Sequence, residues 1–561
     1  MTDKIEQTAV PEVNIESPSA PVSLTSIKLG EWNYYFIAKF LLFWRGLIGL
    51  HPLENLAFAA FMLAPITSVL GRRIRALIAV PLAIALLYYD SWLPPISRTL
   101  SQAGLLSSFS FTYLMELLGR FISWPVVSML AVAWAIYRVM ALQLRIGVMV
   151  FMVLLWLALR QFPAGHPTLP VVVAAQIQGN ADAKSMVPVD GRLQSFYAKE
   201  SQRMVRLVKP NENAAPFDVL FIHICSLSWD DLKATGLEQH PLWKSFDFIL
   251  RNFNSAASYS GPAAIRINRA LCGQTPHQSL YAPAQEGCYL MNGFEKAGFT
   301  TNLLLNHDGH FDDFLGLVQS QNFHVSPMPI GGLPIPIHAF DNSPIYDDLF
   351  VLNRWLGNRQ KNNTPRVAAY YNTVTLHDGN HLDAMPNLRS HETYKLRLKK
   401  LLDDMDSFLQ QISHSGRRTI VVIIPEHGAA FQGEKMQISG LREIPSPAIT
   451  LVPVGIRVIG PDAHRRGDVA QISESTSYLA VSDIISKMLK TTPFGAAGFS
   501  AADYSSELPQ TEFFAENEGE VIQRHDGKYF LNQNNQGWSE YVVTPSQALP
   551  SLEGRSLNVN H

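Results

Sequence analysis

The chain has 561 residues, 47% of them hydrophobic and only 16% charged, with a formal net charge of -2. That length is too great for one ordinary domain. A near-neutral balance removes the basic face that nucleic-acid binding needs, so no nucleic-acid partner is expected. The low charged fraction, against about a quarter in typical soluble domains, comes from the first third of the chain.

Residues 1–30 are polar, carry Pro11, Pro18 and Pro21, and read as a disordered tail on the cytoplasmic side. A cleavable signal would instead place an apolar run close behind a charged start. Apolar runs follow at about 33–51, 55–71, 74–93, 121–138 and 146–162, each near the ~20 residues that cross a bilayer as a helix. Residues 31–163 are therefore expected to form a transmembrane domain of about five helices. The connection Gly71-Arg72-Arg73-Ile74-Arg75 and the stretch from Arg138 to Arg145 are basic, whereas Leu50-His51-Pro52-Leu53-Glu54 has no Lys or Arg. The positive-inside rule puts the basic loops in the cytoplasm. Five crossings then carry everything after about residue 163 outside, which for a bacterial inner membrane is the periplasm. The Ser-rich, apolar stretch 100–120 is an interfacial helix or a sixth crossing. Lys39 and Arg45 lie within apolar runs, where a cation must snorkel or pair.

Residues 164–215 form a connector, and 216–561 an α/β domain. Its first short apolar run is Asp218–Cys225; others are Thr301–Leu305, Val367–Tyr371, Thr419–Ile424 and Pro447–Pro453. A helical pattern spans 392–413, with Tyr394, Leu396, Leu398, Leu401, Leu402, Met405, Phe408, Leu409 and Ile412 on its apolar stripe. Strands alternating with helices predict a largely parallel sheet flanked by helices, with ligands outside the carboxyl ends of the strands. The last 40 residues read as peripheral. Of three cysteines, Cys272 and Cys288 lie 16 apart in a Gly/Pro-rich stretch and are expected to form a disulfide, which suits an oxidising compartment. Cys225 is the odd thiol.

Chemistry concentrates in four pieces. Cys225 ends the first strand; Ser258-Tyr259-Ser260-Gly261-Pro262-Ala263 forms a strand-to-helix corner. Asn372-Thr373-Val374-Thr375-Leu376-His377-Asp378-Gly379-Asn380-His381 follows a strand, as does Glu426-His427-Gly428. Thiolate, carboxylate and imidazole are competent zinc ligands, and a hydroxyl beside zinc is activated as a nucleophile. Taken singly, each has an ordinary interpretation: a buried small hydrophobe, a turn serine, a common dipeptide, a solvated loop. Their shared position at strand ends joins them.

The set resembles the alkaline-phosphatase superfamily, and within it the membrane phosphoethanolamine transferases. Cys225 stands where that group has an acidic ligand, Ser260 where it has Thr, Glu426-His427-Gly428 where it has Asp-His-Gly, and Ser439-Gly440-Leu441-Arg442 where it has a later His. With Cys225-Ser-Leu-Ser-Trp-Asp-Asp, Ser258-Tyr-Ser-Gly-Pro-Ala, Tyr371-Asn-Thr-Val-Thr-Leu-His-Asp-Gly-Asn-His and Val452–Ile459, these departures are similar to the cellulose phosphoethanolamine transferases of bacterial cellulose secretion systems (BcsG type). The resemblance implies one zinc per chain on Cys225, Glu426, His427 and Ser260. It implies Ser260 as nucleophile, His377 (or else His381) on the phosphoryl oxygens or the leaving group, Arg442 on the phosphate, and Tyr259 against substrate or packing. It further implies phosphatidylethanolamine as donor, a cellulose glucose 6-hydroxyl as acceptor, and cellulose synthase subunits as partners. Trp229, Trp243 and Tyr281 are candidate sugar platforms. Rival expectations are a transferase for lipid A or a periplasmic glucan, a hydrolytic phosphodiesterase, and a membrane scaffold with a dead enzyme domain.

Overall fold

Strand β1 (Asp218–Ile224) has every residue buried, the signature of a strand covered on both faces, which therefore reads as a continuous apolar run. In the computed structural model, which describes residues 29–66, 68–91, 109–121, 123–161, 189–535 and 537–543, it lies near the middle of a seven-stranded sheet. The others are β2 (Phe248–Asn254), β3 (Thr300–Leu305), β4 (Val367–Thr373), β5 (Thr419–Pro425), β6 (Leu451–Ile459) and β7 (Ala470–Ile472). Their spatial order is β7-β2-β6-β5-β1-β4-β3. All neighbours pair in parallel except those of β6, which runs antiparallel to both β5 and β2.

The pleat sends alternate residues to opposite faces. Val219, Phe221, Ile420 and Val422 join one core cluster, and Leu220, Ile222, Val421 and Ile423 the other. The predicted helix at 392–413 is observed over Ser390–Ser415, ended by Gly416 at φ 70°, a left-handed cap that glycine adopts without steric cost. It covers the second face, and Tyr478–Lys490 the first. Leu396, expected on its buried stripe, is 46% exposed. The strand expected at Pro447 starts instead at Leu451, because Pro447 opens a helical turn, a position its fixed φ favours. Beyond the main sheet, Phe514–Glu516, Glu520–His525, Lys528–Gln533 and Trp538–Tyr541 form an antiparallel meander. Part of the tail read as peripheral is thus ordered sheet.

By internal contacts the chain divides into two compact units, Met1–Leu93 with Trp124–Ala175, and Pro94–Ser123 with Gln176–His561. The first contains α1 (Trp32–Trp44), α2 (Pro52–Leu63), α3 (Val69–Asp90), and, after a helix of the second unit, α4 (Phe111–Phe121), also α5 (Trp124–Met140) and α6 (Ile146–Gln161). The block 31–163 is therefore interrupted: α4, in the stretch read as interfacial or a sixth crossing, packs with the sheet-bearing unit. The tail up to residue 28 and connector residues 164–188 lie outside the described residues.

No single described helix is long and apolar enough to cross a membrane; Tyr113–Arg120 and Trp124–Met140 pass only as a pair. Inside the first unit Lys39 is buried and ion-paired with Asp90. Its Nζ donates to Asn55 Oδ1 at 2.7 Å, and Asn55 donates to Asp90 at 2.9 Å. Lys39 thus pairs internally, while Arg45 is exposed.

The disulfide Cys272–Cys288 is formed, across a separation of 16. Closing a loop of that length stabilises by roughly 3 kcal/mol in the chain-entropy model. Cys272→Ser is accordingly expected to lower the thermal midpoint, as calorimetry would show.

Candidate active site

Loops at the carboxyl ends of β1, β4 and β5 and at the start of α7 (Ser260–Asn268) bring Cys225, Ser260, His377, Glu426, His427 and Arg442 together. Cys225 Sγ lies 3.5 Å from Ser260 Oγ, and Ser260 Oγ lies 3.5 Å from His427 Nε2. His427 Nε2 is 3.5 Å from Glu426 Oε2. One ligand atom from each of Cys225, Glu426 and His427 falls within 4.8 Å of the others, and all three residues are buried. Ser260 occupies the first turn of its helix, after Tyr259 at the N-cap, where unpaired N–H groups and the helix dipole favour an anion.

Does this set suit a cation? Burial pushes the Cys225 thiol up to about 12, helped by the neighbouring Glu426 charge. Burial also holds the Glu426 carboxyl above its ordinary range, despite its hydrogen bonds. Burial, reinforced by Arg442, keeps the His427 imidazole far below its usual value, hence neutral. Two buried acids held toward their neutral forms even with the Arg442 guanidinium nearby, beside a neutral imidazole, are what a divalent metal would stabilise as anions. Glu426 Oε2 is buried with no hydrogen-bond partner. The donor set therefore fits zinc.

The supporting groups include some that sequence reasoning passed over. Asn372 donates to Glu426 Oε1 at 2.5 Å, fixing the carboxylate. His223 Nδ1 stands 3.7 Å from the same oxygen and 2.9 Å from the Tyr370 hydroxyl. The available signal was a polar residue inside a wholly buried strand. Ser226 adopts φ 62°, a strained state for a residue other than glycine. Its hydroxyl accepts from Arg442 Nη1 at 3.0 Å. Arg442 is buried, its Nε has no partner, and its guanidinium stacks 5.5 Å from the Tyr259 ring centroid. Tyr259 donates to Glu443 at 2.8 Å.

A cavity of about 110 Å³ is lined by Ser260, Tyr259, His377 and Arg442 among others. His377 Nδ1 is 2.6 Å from the Asp378 carbonyl. A carbonyl only accepts, so Nδ1 carries the proton and Nε2 of the neutral ring is free to accept. His381 does not line this cavity; it sits in a short strand pairing with Ile337-His338. Of the candidate sugar platforms, Trp243 is 4% exposed and Trp229 packs against the same core. Only Tyr281, 59% exposed, lines the neighbouring groove.

Comparison with known proteins gives a family for this architecture. The model for the cellulose biosynthesis protein BcsG C-terminal domain matches residues 173–538, and that for its N-terminal domain residues 32–159. The chain belongs to the BcsG family. It is 40% identical to the cellulose biosynthesis protein BcsG of Escherichia coli K12, covering 91% of this chain and 96% of that one. It is 38% identical to the Salmonella typhimurium BcsG, over 94% and 99%. Among solved structures, an alkaline-phosphatase-superfamily protein from Vibrio parahaemolyticus is similar at 10% identity and TM-score 0.45, over 64% of this chain and 91% of that one. The periplasmic domain of EcEptC from Escherichia coli, in complex with Zn, is similar at 13% identity and TM-score 0.40, over 56% and 94%. Membership in the BcsG family sets this chain within cellulose biosynthesis.

Proposed function

We propose that this chain is a membrane-anchored, zinc-dependent phosphoethanolamine transferase. In this reading it moves the head group of phosphatidylethanolamine onto glucose 6-hydroxyls of nascent cellulose, beside the subunits of a cellulose synthase system. One observation carries it: in a BcsG-family chain, Cys225, Glu426 and His427 converge, all buried, on a serine at a helix N-terminus. The apolar helices of the first unit, with Leu70, Leu77, Ile84, Val139 and Leu159 all well exposed, support a bilayer anchor, since soluble surfaces rarely carry so much apolar area.

Cys225, Glu426, His427 and Ser260 would hold one zinc, which lowers the proton affinity of a bound hydroxyl and neutralises phosphoryl charge. Ser260 Oγ attacks phosphorus, forming the serine–phosphorus bond as the bond to diacylglycerol oxygen breaks. The serine proton leaves on that diacylglycerol hydroxyl. An acceptor hydroxyl then attacks the same phosphorus, losing its proton as Ser260 is regenerated. Two displacements at one serine make a ping-pong cycle. Arg442 binds phosphoryl oxygens through its free Nε, and His377, which lines the same cavity, would accept a bond from a hydroxyl through Nε2.

The full chain in lipid micelles, supplied with phosphatidylethanolamine labelled in the ethanolamine, tests this. Label is expected on cellulose oligosaccharides. Label on lipid A or a periplasmic glucan instead would reassign the acceptor. Release of free phosphoethanolamine alone would make it a phosphodiesterase. No product from any acceptor, with assembly of the synthase disturbed by deleting the chain, would leave it a scaffold.

A further inference from the structure

Helix α4 is held in the sheet-bearing unit by polar anchors together with Tyr113 and Leu117, which pack in an apolar cluster with Ile337 and Phe340. Phe111, Met115 and Leu118, at helical spacing, are 73%, 45% and 56% exposed, so one apolar stripe of the helix contributes little burial. The opposite side carries Tyr113, Glu116 and Arg120. Arg120 grips both carboxylate oxygens of Asp378, at 2.6 and 2.8 Å. This two-pronged match is specific to guanidinium. Tyr113 adds a hydroxyl bond to the same carboxylate at 3.1 Å. Glu116 braces Arg120 at 2.7 Å.

Two glycines make room for this approach. A Cβ on Gly379 would lie 2.8 Å from the Tyr113 ring, and one on Gly440 would lie 2.4 Å from Arg120 Nη1. Both have positive φ, 84° and 82°. Either substitution would therefore meet strain and collision together.

Asp378 bears on the site through its backbone. Its carbonyl fixes the His377 ring through Nδ1. The same ring meets Phe340 at 5.2 Å between centroids. Phe340 is in turn packed by Phe109 at 5.1 Å and Tyr113 at 5.8 Å, and its carbonyl accepts from the Ser110 N–H at 2.9 Å. Phe109 and Tyr113 also line a groove of about 290 Å³ shared with Tyr259, His377 and Arg442. Residues 109–121 thus bear on two of the contacts that hold His377, those with Asp378 and Phe340, and form one wall of the groove.

We infer that the segment 109–121, inserted in sequence between helices of the other unit, is a structural part of the active site, and that Arg120 is a positioning residue acting on His377 through Asp378. A catalytic domain cut near residue 164 would lack it. This inference rests on the transferase reading. It adds that the reaction depends on a residue preceding the catalytic region in sequence.

The test uses the full chain in micelles, with phosphatidylethanolamine as donor and a cellulose oligosaccharide as acceptor. Turnover, KM, bound zinc and thermal midpoint are measured for wild type, Arg120→Ala, Arg120→Lys, Asp378→Asn and the Arg120→Ala/Asp378→Asn pair. A misplacement of about 1 Å costs on the order of 10²-fold in rate. Arg120→Ala is therefore expected to lose about that much kcat, with zinc content kept and KM within a few-fold. Arg120→Lys, charged but without the fork, should fall between it and wild type. The pair should be no slower than Asp378→Asn alone, because both changes break one link. Wild-type kinetics in Arg120→Ala, or losses that multiply in the pair, would overturn the inference. So would a rate loss that only follows lost zinc or a lowered midpoint. Should Arg120→Ala fail to fold, the Lys and Asn variants carry the same comparison. A wild-type chain with no transfer to any acceptor would instead sink the transferase reading.

Discussion

Ser260→Ala is expected to bind zinc and fold like the wild type, yet form no covalent phosphoethanolamine adduct and lose at least about 10⁴-fold in turnover, the order that removing a nucleophile costs in serine enzymes. The change deletes one oxygen in the first turn of α7, where alanine is a good helix former. Cys225, Glu426 and His427 are left in place, so the metal should stay. What disappears is the only hydroxyl lying within 3.5 Å of both the Cys225 sulfur and His427 Nε2 among the described residues. Intact-mass analysis after mixing with phosphatidylethanolamine, alongside zinc determination, gives the two readouts separately. An adduct on the wild type alone is the expected pattern. A wild-type rate in the alanine variant would mean that no covalent step runs through this serine, and direct transfer would have to replace it.

Much of this site was legible because its parts sit where short buried strands end. The continuous apolar runs of β1 and β5 announced strands covered on both faces, and the residues just past them, Cys225 and Glu426-His427, proved to converge. Strands β2 and β7 were not read in advance. Phe248–Asn254 carries an exposed Arg251 and a half-buried Asn252 in mid-strand, which breaks the apolar run that signals a buried strand. The choice between His377 and His381 could not be made from spacing. It turns on the backbone reversal at Gly379, which leaves one imidazole in the cavity and sends the other to a separate small sheet. Least legible was Arg120. In sequence it belongs to an apolar stretch between predicted crossings, more than 250 residues from Asp378, and no local pattern links a partner so distant. Lys39 shows the same limit: its counter-ion Asp90 is 51 residues on, at the far end of another helix.

Cys225→Ala is expected to lose metal and activity together, which separates this cysteine from Cys272. Two protein ligands, Glu426 and His427, would remain beside Ser260, short of the three that catalytic zinc sites normally supply. A metal bound by the wild type would stabilise the folded state by mass action, by about 2.7 kcal/mol at a hundredfold excess over Kd. Removing the thiol should thus lower the thermal midpoint of the zinc-loaded protein. Treatment with a chelator should bring the wild type down toward the variant and leave the variant unmoved. The site is buried, so a lost ligand is not readily replaced by solvent. A carboxylate is a competent substitute for the thiolate, and Cys225→Asp should recover part of the zinc that the alanine variant loses, because it restores an anionic ligand at the same strand end. Stoichiometric zinc and full turnover in Cys225→Ala would remove the thiol from the ligand set. Full activity in chelated wild type would remove the metal from the reaction altogether, leaving Arg442 and the helix N-terminus as the sources of positive charge at phosphorus.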